Sequence, residues 1–331
     1  MGFTLAEVMK AQSLIAGLAR QTPLVEAKAI GTSSRYPVLL KLETLQPVGA
    51  FKIRGAAHAL LALDDQARRR GVVCCSTGNH GRAVAYAANH LGIPATICLS
   101  NLVPQSKADA IAALGATVAR RGTSQDDAQQ EAERLVREKS YTDISPFDHR
   151  DVILGQATIA LELISERPDL TQIVVPLSGG GLIGGIAVAA KALKPSIRIT
   201  GVSMEAGAAM HESLKAGHPI AVTEVASLAD SLGGGIGLAN QWTFDLCRRY
   251  VDETLLVSEE EIYRGMRALF FKERLVAEGA GAVGVAALLA GKLKLDGPTA
   301  MIISGQNVDM EQFMAIARGE PVKLHDRMVK G

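Results

Sequence analysis

The sequence predicts an α/β protein with two open twisted sheets, each flanked by helices. From Gly71 onward, short apolar runs typical of strands alternate strictly with helical patterns, and a second alternating series follows His149. Strands that are separated by helices pair in parallel, because the helix returns the chain across the sheet. Since the first series interrupts the second, we expect a small domain, residues 71–148, inserted into a large domain of residues 1–70 and 149–331.

The elements follow in order from the N-terminus. Thr4 and Glu7 form a capping box that opens a helix reaching about Leu18, and two short strands follow in "TPLVEA" and "YPVLLKLE". The inserted block has four strands with helices between them, "VVCCS", "ATICLS", "TVAR" and "YTDIS". The second series has a helix at about 152–165 and then the strands "QIVVPLS", "IRITGVSM", "ETLLVS" and "TAMIIS". Ser258 and Glu261 form another capping box.

The amino-acid composition argues against nucleic acids and membranes as binding partners. The chain has 35 Lys and Arg against 34 Asp and Glu, without a dense basic run, which argues against nucleic acid and anionic membranes. Its four cysteines lack C-x-x-C spacing and are typical of core residues in a reducing compartment. The sequence shows neither a signal peptide nor an apolar stretch of spanning length. We therefore expect a cytoplasmic protein with no membrane partner.

One lysine stands out in the stretch "GAFKIRGAA". Lys52 lies between Phe51 and Ile53, where the chain leaves a strand for a helix. Burial near apolar groups lowers the pKa of a lysine and makes its amine available as a nucleophile. The alternative is a lysine whose stem covers apolar surface while its charged head stays in water. The local sequence leaves both interpretations open.

A second motif is the glycine-rich turn in "VVPLSGGGLIGGIAVAAK". Glycines let the backbone approach an anion closely, and the free N–H groups of a helix start favour phosphate. A turn that only needs positive φ explains one or two of these glycines, but not Gly179, Gly180, Gly181 and the later pair together. The set Gly179, Gly181, Gly184 and Glu205 also satisfies a dinucleotide-binding pattern, which keeps a nicotinamide-dependent oxidoreductase as an alternative.

Two further turns carry polar side chains. In "CCSTGNHGRAVAYAA", small polar residues precede a helix and suit a carboxylate, although Thr77 or Asn79 could simply cap that helix. In "MIISGQNVDM", Ser304 ends a strand, a position where serine is usually a turn former.

These four motifs, in this order, resemble the fold-type II pyridoxal-phosphate enzymes with the tryptophan synthase beta-like fold. The resemblance is to the serine/threonine dehydratase and serine racemase branch, over about residues 22–309. The stretches "SLADSLGGGIGL" and "ERLVAEGAGAVGVAALLAGK" look most like dehydratases of hydroxyectoine breakdown. The resemblance implies a homodimer that binds pyridoxal phosphate in its large domain. It also implies dehydration of threonine, serine or a hydroxylated diaminobutyrate to an enamine or 2-keto acid and ammonia.

The resemblance also implies roles for individual residues. Lys52 would hold the cofactor as a Schiff base and act as the general base, and Ser304 would meet the pyridine nitrogen. A serine hydroxyl cannot keep that nitrogen protonated as a carboxylate would, which favours elimination over transamination. The other cofactor contacts would come from Phe51, Asn79, Gly179, Gly180, Gly181, Leu182, Gly233 and Glu278, and the substrate carboxylate would be held by Ser76, Thr77, Asn79 and His80.

The sequence departs from the pattern of this branch at two places. Racemases of the branch use a serine as a second base where this chain has Thr77, so dehydration is favoured and serine racemisation is the alternative. Related proteins bind a divalent cation through an acidic pair, and here Glu205 matches one acid while His211 replaces the other. The alternative interpretation is that Glu205 and His211 are two surface residues that bind no metal. Glu278 is equally explained as a carboxylate at a helix start, and Gly233 as part of a flexible connection. A further alternative for the whole chain is a binding protein that keeps the fold but catalyses no reaction.

Overall fold

The computed structural model describes residues 2–31, 34–76 and 78–331, and its α/β architecture confirms the predicted fold class. A six-stranded sheet has the order β1-β2-β10-β7-β8-β9, in which only β1 runs antiparallel to its neighbour. Its strands are β1 Leu24–Glu26, β2 Val38–Leu42, β7 Gln172–Pro176, β8 Arg198–Met204, β9 Glu253–Val257 and β10 Thr299–Ile303. All six were predicted from apolar runs.

The second sheet has four parallel strands in the order β5-β4-β3-β6. They are β3 Val72–Cys75, β4 Ala95–Leu99, β5 Thr117–Arg120 and β6 Thr142–Asp143. This sheet lies within 71–148 and the six-stranded sheet lies outside that range, while the division of the chain into two domains stays a prediction. A short C-terminal hairpin of β11 Val322–Leu324 and β12 Arg327–Val329 was not predicted.

Helices connect and flank the strands. Those of the first half are α1 Leu5–Ile15, α2 Lys52–Leu61, α3 Asp65–Arg70, α4 Asn79–Leu91, α5 Gln105–Ala112, α6 Gln125–Lys139 and α7 Arg150–Glu166. Those of the second half are α8 Gly181–Leu193, α9 Ala209–Ala216, α10 Thr243–Tyr250, α11 Glu259–Ala268, α12 Gly279–Leu289 and α13 Met310–Arg318. Short 3₁₀ turns cover Glu43–Leu45 and Asp230–Leu232, and a π-helical turn covers Leu269–Glu273. None of the helices in the described ranges combines the length and the apolar content that a membrane crossing needs.

Local signals explain where several of these helices begin. Both predicted capping boxes are present, with Thr4 and Glu7 at the start of α1 and Ser258 and Glu261 at the start of α11. In each case the hydroxyl accepts from the third backbone N–H, and the glutamate accepts from the N–H of the cap residue. These bonds satisfy N–H groups that a helix start otherwise leaves without partners.

Helix α2 packs against both parts of the fold. Its buried residues Ile53 and Leu60 belong to the core that also contains β3 and α4, and the helix packs against α7 on its other side. Next to it lies a buried cluster of four charges, Lys41, Glu43, Arg54 and Glu162, which we call the charge tetrad. Nitrogen–oxygen distances of 2.6 Å for Lys41 to Glu162, 2.8 Å for Arg54 to Glu43 and 2.5 Å for Arg54 to Glu162 join them. The tetrad fixes the first turn of α2 to β2 and α7.

Candidate active site

A cavity of about 360 Å³ opens between the carboxyl ends of the strands of the two sheets. This is where parallel α/β folds commonly bind ligands. Most of the residues predicted as site residues line it: Phe51, Lys52, Ser76, Asn79, His80, Gly179, Gly180, Gly181, Leu182, Gly233 and Ser304. Glu278 lies in a small adjoining cavity that shares Asn79 with it. Thr77 lies outside the described residues.

Lys52 is the first residue of α2, with Phe51 at the cap position. Its Nζ donates to the carbonyl oxygen of Pro146 at 2.6 Å and lies 5.3 Å from the ring centroid of Phe51. The accessible part of the side chain faces the cavity, and protein surrounds it on the other sides. Burial lowers the pKa of Lys52 to about 8, while the charge of Glu278 acts in the opposite direction. Of the two interpretations of this lysine, the structure therefore favours the buried amine.

The glycine-rich turn connects β7 to α8. Gly180 has φ +89°, a backbone conformation that disfavours any other residue. A Cβ on Gly179 would lie 2.4 Å from the ring of Phe147, and one on Gly181 would lie 2.9 Å from the Phe147 backbone. Since α8 begins at Gly181, its first N–H groups have no partner within the helix and can bind an anion.

Asn79 is held in one orientation by two neighbours. Its Oδ1 accepts from Asn307 Nδ2 at 2.6 Å, and its Nδ2 donates to Glu278 Oε1 at 2.8 Å. One hydrogen of the Asn79 amide nitrogen is then left for a ligand. Burial and the charge of Asp230 raise the pKa of Glu278 to about 7, against the hydrogen bonds from Asn79 and Ser231. The Glu278 carboxylate thus has a structural partner at the site, which a helix-start carboxylate alone would not require.

Ser304 follows β10 and is 3% exposed. Its carbonyl oxygen accepts from the backbone N–H of Phe51 at 3.0 Å, and Gly305 forms a bridge with Ala50. These bonds bring the end of β10 against the start of α2. The serine and the lysine therefore line one cavity although they are 252 residues apart in the sequence.

His80 is buried, and its role depends on one hydrogen bond. Its Nε2 lies 2.7 Å from the carbonyl oxygen of Ile144, which can only accept, so Nε2 carries the proton. Burial and the nearby Lys52 lower the pKa of His80 to about 3, and the ring is neutral. The remaining atom, Nδ1, is a buried acceptor that has no hydrogen-bond partner among the residues that the structure describes. The His80 ring therefore has no free N–H for a carboxylate, whereas its backbone N–H, at the second position of α4, has no partner within the helix.

Several lining residues were not predicted. Pro146 and Phe147 contribute most, since Pro146 accepts from Lys52 and Phe147 packs on the glycine turn. Asp148, next to them but outside the lining, accepts from three backbone N–H groups at the start of α10. The stretch "SPFDHR" after β6 was the available signal, because it follows a strand at the edge that the other motifs share. At the opposite wall the lining includes Cys75, Lys107, Gln125, Glu224 and Asp230.

Glu205 and His211, the predicted metal ligands, have separate partners. Glu205 Oε1 lies 3.3 Å from Lys292 Nζ, and His211 Nδ1 lies 2.7 Å from Thr254 Oγ1. In the described ranges no group of three or more His, Cys, Asp or Glu side chains is placed to hold a metal. The two residues therefore do not form a ligand pair in this structure.

The dinucleotide pattern also fails to assemble. Glu205, its acidic member, is paired with Lys292 and is not among the residues that line the cavity. Gly184 lies inside α8, where a Cβ would meet Leu246 at 3.2 Å. The acid that the pattern assigns to the ribose, Glu205, therefore does not meet the glycine turn in this cavity.

A larger groove of about 800 Å³ lies beside α1, α7 and α8. It reaches Arg54 and Glu162, but both side chains are already bonded within the charge tetrad. No lysine lines it, and no glycine turn opens into it. We therefore place the active site in the smaller cavity.

The chemistry of the smaller cavity fits pyridoxal phosphate. It offers a buried amine for the aldehyde, a glycine turn at a helix start for the phosphate, and an oriented amide and a buried hydroxyl for the ring. A side chain at Gly179 or Gly180 would collide with neighbouring residues, so the turn keeps its backbone accessible only with glycine at these positions.

Comparisons with known proteins agree with this fit. The family model described as pyridoxal-phosphate dependent enzyme matches residues 15–305. A Sinorhizobium fredii protein provisionally named a threonine dehydratase is 50% identical over 317 residues, 96% of each chain. The L-threonine ammonia-lyase of Thermotoga maritima is 39% identical over 321 residues, 97% of this chain and 79% of the relative. Maize serine racemase is 33% identical in sequence, with a TM-score of 0.89 over 95% of this chain and 96% of its own. The chain belongs to the family of pyridoxal-phosphate dependent enzymes.

Proposed function

We propose that this enzyme is a carbon–nitrogen lyase that dehydrates and deaminates a β-hydroxy amino acid, threonine or serine. The observation that carries the proposal is Lys52, whose partly neutral amine faces the same cavity as the glycine turn and Ser304. The relatives named as threonine dehydratase and threonine ammonia-lyase, at 50% and 39% identity, support this substrate class.

The cavity residues divide the work of holding the cofactor. Lys52 would bind the aldehyde, the N–H groups of residues 179–182 would bind the phosphate, and the free hydrogen of the Asn79 amide would bind the ring hydroxyl. Phe51 packs beside the ring, Glu278 acts through Asn79, and Gly233 forms part of the wall. When bound, the cofactor supplies an aldehyde that condenses with amines and a ring that draws electrons from the adjacent carbon.

Ser304 tunes that ring through a neutral contact. The hydroxyl can donate to the pyridine nitrogen but leaves it without a full positive charge. A weaker electron sink favours loss of a β-leaving group over transamination. Ser304 therefore supports elimination.

Lys52 also moves the proton. Its Nζ, with a pKa of about 8, takes the proton from the substrate Cα and keeps it within the cavity. Lys107 is the other lysine that lines the cavity, but its side chain is exposed to solvent. One amine thus serves as both anchor and base.

The start of α4 orients the substrate. The Ser76 hydroxyl and the first N–H groups of the helix, at Asn79, are the donors that we assign to the substrate carboxylate. His80 stays in this set through its backbone N–H at the second position of α4, because its ring N–H is bonded to Ile144. Thr77 belongs to the set by its position in the motif.

A hydroxylated diaminobutyrate is the second substrate that we propose. Glu224 and Asp230 lie in the wall formed by the loop before α10, where carboxylates would attract a second ammonium group on the substrate. Lys107 lies in the same wall and opposes this preference. Asp230→Asn should then lower kcat/KM for the diamino substrate and leave that for threonine nearly unchanged.

The experiment on the lyase activity uses the wild-type enzyme and Lys52→Ala. Wild type should be yellow, lose its visible band on borohydride treatment with the label on Lys52, and release keto acid and ammonia from threonine or serine. Lys52→Ala should be colourless and inactive. Chiral chromatography of the remaining serine tests for racemisation. Turnover that survives in Lys52→Ala would refute the proposal, and racemisation faster than keto acid release would make the enzyme a racemase.

We propose further that the enzyme is a cytoplasmic homodimer. All four cysteines are buried and unpaired, which suits a reducing compartment. The dimer rests on the resemblance to the dehydratase branch. Sedimentation of the purified enzyme at twice the chain mass of 34.9 kDa would support it.

A further inference from the structure

We propose that the ammonium group of Lys292 is a built-in cation that joins the carboxyl ends of β8 and β9 to α11 in place of a divalent metal ion. Lys292 follows α12, and its backbone N–H donates to the carbonyl oxygen of Ala287 at 3.0 Å. The position of this side chain is therefore anchored in the end of a helix.

Three oxygens from three segments surround the Lys292 nitrogen. Glu261 Oε2 of α11 lies at 2.7 Å, the carbonyl oxygen of Leu256 in β9 at 3.0 Å, and Glu205 Oε1 after β8 at 3.3 Å. Two carboxylate oxygens and one carbonyl oxygen are also the kind of ligands that a hard metal cation binds. Here an ammonium with three N–H donors meets all three.

The ammonium group of Lys292 is needed at this position to balance the charges of two carboxylates. Two carboxylates face one lysine, so removal of the lysine would leave Glu205 and Glu261 to repel each other. Glu261 Oε2 also accepts from the backbone N–H of Ser258 in the capping box at 2.8 Å. The side chains of Lys292 and Glu205 are 34% and 53% exposed, so ions in solution can reach them.

A divalent ion does not fit beside Lys292. It would have to share Glu205 with an ammonium group, and within the described ranges no group of three or more His, Cys, Asp or Glu side chains is placed to hold it. Like charges at such distances repel. We infer that the wild-type enzyme needs no divalent ion at this position, whatever reaction it catalyses.

The same geometry predicts what Lys292→Ala should gain. The variant keeps two carboxylates and a carbonyl oxygen around a vacated cation position, and water can supply the other ligands that calcium prefers. A ligand that binds only the folded state raises the melting temperature. Lys292→Ala should therefore melt lower than wild type in sodium chloride and recover in calcium chloride.

The test compares melting temperatures of the holoenzymes in millimolar calcium chloride and in sodium chloride of equal ionic strength. Lys292→Ala should gain about 2 °C or more from calcium, whereas wild type should not respond. Lys191→Ala is the matched control, because Lys191 pairs with a single carboxylate, Asp252, at 2.8 Å. The double variant Lys292→Ala/Glu261→Gln should lose the calcium response.

Wild-type enzyme gives a second, independent result. Its melting temperature and its kcat/KM should be the same before and after exhaustive treatment with a chelator. Loss of either on chelation, or stabilisation of wild type by calcium beyond the sodium control, would overturn the proposal. So would a calcium response of Lys292→Ala no larger than that of Lys191→Ala.

Discussion

Replacing Glu278 with glutamine should make the Lys52 amine reactive at lower pH. Burial lowers the pKa of Lys52 to about 8, and the Glu278 carboxylate partly offsets this by attracting the ammonium form. Glutamine has nearly the same size and can still accept from Asn79, but it carries no charge. The pKa of Lys52 in Glu278→Gln should therefore fall below that of wild type.

The expected magnitude follows from the neutral fraction of the amine. At pH 7 an amine with a pKa of about 8 is roughly 10% neutral, whereas one at the ordinary value of 10.5 is about 0.03% neutral. Burial thus raises the reactive fraction of Lys52 by about 300-fold, and each half unit by which the pKa falls further adds roughly 2.5-fold. Because the pKa of Glu278 is itself about 7, its carboxylate is charged mainly above pH 7, and the variant should differ most from wild type between about pH 7 and pH 8, where Lys52 is still partly protonated.

The assay measures how fast cofactor-free enzyme recovers its visible band when pyridoxal phosphate is added between pH 6 and pH 10. The wild-type rate should rise with a midpoint near pH 8 and then level off, and the midpoint of Glu278→Gln should be lower. Glu166→Gln is the matched control, since Glu166 is exposed at the end of α7 and carries the same charge. A wild-type rate that rises steadily to pH 10, or an unchanged midpoint in Glu278→Gln, would refute this reasoning.

Three further predictions concern stability and cofactor affinity. The pKa of Glu278 is raised in the folded state from 4.5 to about 7, so its contribution to the stability of cofactor-free protein is present below pH 4.5 and is lost as pH rises through 7. In urea unfolding, Glu278→Gln should therefore match wild type near pH 4.5 and exceed it by up to about 3 kcal/mol at pH 8.5. Gly180→Ala, whose Cβ would lie 2.7 Å from a methionine methyl group, should weaken cofactor binding at least about tenfold in a fluorescence titration. Gly217→Ala has a similar φ of +80° but no neighbour within 4 Å, and should keep its affinity. Lys41→Met should cost about 3–5 kcal/mol in urea unfolding because Glu162 keeps a buried charge with one partner fewer, and adding Glu162→Gln should restore part of the loss.

The sequence was sufficient for features that local patterns encode. Apolar runs gave the ten strands of the two main sheets, and the capping boxes gave the starts of α1 and α11. The glycine turn was equally readable, because a helix start with positive φ at Gly180 requires residues without a side chain. The terminal hairpin escaped prediction since its turn has His325 at φ +50° and no Asn-Gly or Asp-Gly pair.

The rest depends on contacts between distant parts of the chain. Asn79 and Glu278 are 199 residues apart, and no local pattern indicates that one orients the other. The motif places His80 at the helix start, but only the position of Ile144 decides which of its two ring nitrogens carries the proton. Lys292 belongs to an ordinary turn after a helix, and only the fold places it beside Glu205 and Glu261.

The segment 146–148 shows how closely the parts of this site depend on one another. Successive residues accept from the lysine amine, cover the glycine turn and cap α10. Inserting or deleting even one residue there would displace all three residues from the lysine amine, the glycine turn and the start of α10. The spacing between the end of β6 and the start of α7 therefore has almost no freedom to change while the enzyme remains active.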